Sequence, residues 1–77
     1  MFPNPSSSEI NISILGELRF DSNIQLLDCY GNIEKDQFIN PSENSIKMNV
    51  ENLASGVYLL KLSDKRGLIG LEKVVIL

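Results

Sequence analysis

Short runs of alternating apolar and polar residues, each cut off by turn formers within a few positions, constrain this chain most. Glu9-Ile10-Asn11-Ile12-Ser13-Ile14 has a period of two, which puts Ile10, Ile12 and Ile14 on one face of a strand. Ser45-Ile46-Lys47-Met48-Asn49-Val50-Glu51 repeats the pattern, with Ile46, Met48 and Val50 inward. Asn23-Ile24-Gln25-Leu26-Leu27 predicts a third strand, and Ile33 to Phe38 its antiparallel return. Between them, Asp28 can accept a backbone hydrogen bond and Gly31 can take a positive φ. Asn40-Pro41-Ser42-Glu43-Asn44 then breaks the ladder.

Val57 to Ser63 is apolar on both faces, which predicts a central strand covered on both sides. Asp64-Lys65-Arg66-Gly67 has the length of a hairpin turn, and Leu68 to Leu77 would close the hairpin. Gly70 marks a candidate bulge within it. The stretch from Glu43 to Leu53 is the one rival for a helix, and Asn44, Asn49, Val50 and Asn52 are poor helix formers. The expectation is an all-β fold, an antiparallel immunoglobulin-like β-sandwich of six to seven short strands. Leu18-Arg19-Phe20 would supply the seventh. Residues 1–8 form an extended lead-in with its Pro-Asn-Pro segment, and residues 9–77 the sandwich.

The composition narrows function mostly by exclusion. A chain of 77 residues makes one small domain with a single core and little room for an interior active-site cavity. Seven basic and ten acidic residues give a net charge of −3. No cationic stripe exists to displace counterions from phosphates, so nucleic acid is not an expected partner. The chain has no histidine, which removes the ordinary base for a serine nucleophile. Together with the single Cys29, that also leaves no Cys/His zinc site and no internal disulfide. Asp21, Asp28 and Glu34 lie in or beside turns, the usual place of solvated surface charge rather than of a catalytic carboxylate pair. The glycines never form a phosphate-cradling loop, and no Asp-rich calcium loop occurs. No catalytic residue, metal or cofactor is expected. No apolar run approaches the roughly 20 residues of a membrane-spanning helix. No charged-then-apolar leader opens the sequence, and Phe2-Pro3-Asn4-Pro5 is expected to continue a longer protein, with Met1 an added initiator.

Four segments remain: Pro3-Asn4-Pro5, Asp28-x-x-Gly31, Leu53-Ala54-Ser55-Gly56-Val57-Tyr58 and the closing Lys73-Val74-Val75-Ile76-Leu77. Each has an ordinary structural explanation alone: a stiff extended lead-in, a turn, a strand start with a core aromatic, and a solvated lysine before a last strand. In this order they resemble the type IX secretion system carboxy-terminal sorting domain, type A, over essentially the whole chain from Phe2 to Leu77. That family opens with Tyr/Phe-Pro-Asn-Pro, matched by Phe2-Pro3-Asn4-Pro5, and follows it with an alternating strand, matched by Ile10 to Leu15. Its aliphatic strand ending in Asp-x-x-Gly is matched by Leu26 to Gly31. Cys29 stands where the family often has leucine, which implies a buried, unreactive thiol. Glu72 stands where a second basic residue often accompanies the terminal one.

The resemblance implies a non-enzymatic address tag. The cargo attached upstream would cross the periplasm, pass an outer-membrane type IX translocon that binds the domain, and end at the cell surface or secreted. A sortase-like peptidase would remove the domain. The residues implied for translocon recognition are Pro3, Asn4, Pro5, Asp28, Gly31, Gly56, Tyr58, Lys73, Val74 and Val75. The alternative is an immunoglobulin-like or fibronectin-like accessory module of a surface protein, acting as spacer, adhesin or carbohydrate binder.

Overall fold

The computed structural model describes residues 2–5, by backbone course, together with 8–14 and 18–77. Ser6, Ser7 and Leu15 lie outside the described residues. Seven strands follow one another: β1 (Phe2–Pro5), β2 (Glu9–Ser13), β3 (Ser22–Leu27), β4 (Ile33–Ile39), β5 (Ser45–Asn49), β6 (Gly56–Asp64) and β7 (Gly67–Ile76). A three-stranded sheet runs β1-β2-β5 and a four-stranded sheet β4-β3-β6-β7. Every pairing is antiparallel, and the two sheets pack as a sandwich.

The period-two runs behave as their spacing demands. In β2 and β5, Ile10 pairs with Met48 and Ile12 with Ile46, so their side chains share the inner face. Ile10, Ile12, Ile14, Ile46, Met48 and Val50 are all buried, facing Ile24, Leu26, Leu60, Leu62, Val74 and Ile76 from the other sheet. Burying one such side chain stabilises by roughly 1.5–3 kcal/mol. Ser22 is the single buried polar residue described, and its hydroxyl donates to the Phe20 carbonyl at 3.0 Å. Among the described residues no buried side-chain nitrogen or oxygen lacks a partner.

The seventh strand is not at Leu18-Arg19-Phe20. That segment bends outside both sheets. Leu18 packs on the core, and the Phe20 ring lies under Lys65 Nζ at 4.1 Å and the Arg66 guanidinium at 4.7 Å. Side-chain packing and cation–π contact hold it there. The seventh strand is instead β1, where Pro3 pairs with Ile12 and Pro5 with Ile10. Prolines are confined to edge strands. Two of them spaced by two can both turn their missing N–H away from β2, toward β7, which β1 approaches without a ladder.

A second correction concerns β6. It is central in its sheet, flanked by β3 and β7, but only one face is covered. Tyr58, Leu60 and Leu62 are buried, whereas Val57 is 49% and Leu59 37% exposed. A two-layer sandwich has nothing to place over its outer face. The hairpin turn lies where expected: Asp64 pairs with Gly67, and the Arg66 N–H donates to Asp64 Oδ1 at 2.7 Å. The β7 register slips beside Gly70, leaving Ile69 as the extra residue between Leu62–Gly70 and Ser63–Leu68.

Candidate functional site

One pole of the four-stranded sheet gathers three of the four sequence segments. Ladder pairs run from Leu27 to Leu59 and from Leu59 to Lys73. Asp28 at the end of β3, Gly56 and Tyr58 at the start of β6, and Lys73 to Val75 at the end of β7 are therefore close neighbours. The fourth segment, in β1, belongs to the other sheet. Its Pro5 pairs with Ile10, two residues from Ser8, whose carbonyl accepts from the Val50 N–H at 2.9 Å. The side chains of Pro3, Asn4 and Pro5 lie outside the described residues.

The Asp28 carboxylate organises its turn. Oδ1 accepts from the backbone N–H groups of Tyr30 (2.8 Å) and Asn32 (2.9 Å), and Oδ2 from the Asn32 amide (3.0 Å). The Gly31 N–H donates to the Asp28 carbonyl at 3.1 Å. Gly31 holds φ 85°, a conformation that costs a side chain energy, so glycine belongs there. The Asn32 amide, then its backbone N–H, holds the Asp28 carboxyl below the usual aspartate value. With the folded value lowered, this staple is complete at neutral pH. It is lost only as pH falls through that depressed value.

On the facing loop, Leu53 packs against the core, and the Tyr58 hydroxyl donates to the Ala54 carbonyl at 2.6 Å. The Leu-x-x-Gly-x-Tyr spacing thus builds a clasp. Leucine plugs the core, the tyrosine returns to hold the loop from below, and glycine turns the chain between them. Gly56 holds φ 153° and pairs with Ile76 at the end of β7. A Cβ there would meet no atom within 4 Å, so any penalty is one of backbone conformation alone. Gly56→Ala is expected to lower stability by on the order of 1 kcal/mol. An unchanged urea midpoint would show that alanine tolerates this φ.

Between the two loops opens a shallow cleft of about 370 Å³, lined by Asp28, Tyr30 and Glu34 on one side and by Leu53, Ser55 and Tyr58 on the other. Cys29 also lines it and is exposed. The expectation of a buried thiol fails because the chain has already left the sheet at Asp28, and Cys29 rides on the turn. Among the described residues no cluster of histidine, cysteine, aspartate or glutamate could hold a metal ion, and no helix is long and apolar enough to cross a membrane.

Of the closing segment, Val74 is buried opposite Tyr58, while Lys73 and Val75 point outward opposite Leu59 and Val57. Val74 is thus a core residue, and only its two neighbours are displayed. The residues that the sequence reading passed over are their outward companions Val57, Leu59, Lys61 and Leu71. The signal for them was the charge of Lys61 inside an otherwise apolar run, which a strand covered on both faces would not carry.

The sequence matches the family described as "Secretion system C-terminal sorting domain" over residues 1–77. No curated protein and no solved structure gave a significant match. Every residue of the chain falls within the family match, and the observed sandwich is the fold that the strand pattern predicted; the chain belongs to the carboxy-terminal sorting domains of the type IX secretion system.

Proposed function

We propose that the folded domain is the address that a type IX translocon reads on a cargo attached upstream. The cargo reaches the periplasm, the translocon engages the domain and carries both across the outer membrane, and a sortase-like peptidase then removes the domain. The domain catalyses nothing in this sequence of events. What carries the reading is the whole-length family match. The convergence of Asp28, Gly31, Gly56, Tyr58 and the Lys73–Val75 segment at one pole of a compact sandwich supports it.

Within that reading the ten residues divide by physical role. Gly31, Gly56, Tyr58, Val74 and the Asp28 staple shape the pole, whereas Lys73 and Val75 are displayed on it for recognition. Pro3, Asn4 and Pro5 set the edge strand that runs from the cargo side into the fold. Edge strand β7 is approached by β1 but shares no ladder with it, and its backbone N–H and C=O groups beyond that approach are open to pairing with a receptor strand.

The test is export of a periplasmic reporter fused ahead of residues 2–77, with Lys73→Ala as the discriminating variant. An exposed strand lysine away from any ion pair contributes within about ±0.5 kcal/mol to stability. The expected outcome is an unchanged melting temperature together with slower appearance of the reporter at the cell surface. Export of the variant at the wild-type rate would remove Lys73 from recognition. A large drop in melting temperature would make it a structural residue.

A further inference from the structure

The outer face of the β6–β7 hairpin interleaves two lysines with two leucines and two valines. The outward pairs are Val57 with Val75, Leu59 with Lys73, and Lys61 with Leu71. Two leucines therefore occupy one diagonal of a square and two lysines the other, with the valine pair at one side. Leu71 is 50% and Val75 42% exposed. Diagonal neighbours on a sheet face stand about 7–8 Å apart, within reach of both flexible lysine stems. Two ammonium groups so placed repel one another unless an anion lies between them.

The surroundings supply no such anion. In a chain with ten acidic and seven basic residues, no acidic side chain occupies an outward position between Val57 and Ser63 or between Leu71 and Val75. Glu72 lies opposite Leu60 and points to the other face. Asp36 lies across β3, opposite Gln25, and accepts from the Asn23 amide at 2.8 Å, while Glu34 lines the cleft beside Val57. Among the described residues the single ion pair is Asp64 with Arg66, so Lys61 and Lys73 face outward without a counter-charge.

We infer that this lysine–leucine square is a docking face for a protein segment that presents a carboxylate between apolar side chains. The segment belongs to the export machinery that receives the domain. The inference rests on the sorting reading and adds to it the face used and the chemistry of the partner. The carboxylate is gripped along the lysine diagonal, and the apolar side chains cover the leucines and valines. Shielding from water strengthens the charge pairing as the leucines are buried. A second copy of the chain does not fit, because this face packed on itself gathers four lysines with no carboxylate among them.

The experiment compares reporters fused ahead of residues 2–77 in cells with a working type IX system: wild type, Lys61→Glu/Lys73→Glu, Lys61→Arg/Lys73→Arg, and Lys47→Glu on the other sheet. Each domain is also melted in isolation. The expected result is at least about a tenfold fall in surface reporter for the double glutamate variant, as for loss of a close interfacial charge pair. The double arginine variant and Lys47→Glu should export as wild type does. Should the double glutamate domain melt far below wild type, Leu71→Asn replaces it and is expected to reduce export likewise. Wild-type export by a folded double glutamate or Leu71→Asn variant would overturn the docking face and leave the sorting reading standing. Failure of the wild-type fusion itself to leave the periplasm would overturn both. Flotation of the domain with phosphatidylcholine vesicles containing phosphatidylglycerol supplies the remaining arm. Capture abolished by the double glutamate change would overturn the protein partner in favour of an anionic bilayer, and no capture supports it.

Discussion

Removal of Lys73 to Leu77 is expected to unfold the domain. Val74 and Ile76 are each only 2% exposed, and losing them forfeits about 3–6 kcal/mol of burial at roughly 1.5–3 kcal/mol per side chain. A chain of 77 residues has a total stability of about 4–12 kcal/mol at roughly 0.05–0.15 kcal/mol per residue. The truncation also strips the β7 partners of Gly56, Val57, Tyr58 and Leu59. That exposes the start of β6 and the inner face beneath it. Urea titration followed by circular dichroism should show either no cooperative transition or a midpoint far below wild type. A midpoint within error of wild type would mean that the last strand adds nothing to the core. Loss of export by this truncation reports on folding, not on recognition. Lys73→Ala, which touches no buried surface, separates the two.

The second large effect is expected at Tyr58. Its ring is 7% exposed within the core, and its hydroxyl holds the Ala54 carbonyl at 2.6 Å. Tyr58→Ala removes both and should cost about 3–5 kcal/mol, the range for deleting a buried aromatic. Tyr58→Phe keeps the ring and loses only the hydrogen bond, at about 1 kcal/mol. Ala54 is exposed, so water can take up its freed carbonyl. The two denaturation midpoints should therefore lie well apart. Equal losses would place the whole contribution of Tyr58 in the hydroxyl. The clasp would then be the stabilising element, with the ring dispensable.

Most of this architecture was legible in the chain, because a half-buried strand imposes its period of two on the sequence directly. The isoleucines of β2, and Ile46 and Met48 of β5 with Val50 just beyond it, could only face inward together. The Asp28 turn was legible for a similar reason, since few residue types can staple a tight loop and fewer still can hold φ 85° as Gly31 does. Three features were hidden. Two prolines in four residues argued against pairing in β1, since their tolerance on an edge depends on a neighbour that sequence does not name. Apolar residues on both faces of β6 fit a doubly covered strand and a strand with one displayed apolar face; the charge of Lys61 alone favoured the second, and the two-layer sandwich decides it. Cys29 follows an aliphatic run, but whether it continues inward depends on where the chain leaves the sheet, which the Asp28 hydrogen bonds decide. The candidate site was legible as four separate segments. Their gathering at one pole follows from the ladders joining Leu27, Leu59 and Lys73, pairs 14 or more residues apart along the chain.

The most direct measurement is the protease accessibility of a periplasmic reporter fused ahead of residues 2–77, compared between two strains that differ only in a functional type IX translocon. The account predicts reporter at the surface or in the medium of the strain with the translocon, and folded reporter held in the periplasm of the strain without it. A reporter that stays in the periplasm of both strains, with the domain folded, would contradict it and favour a spacer module.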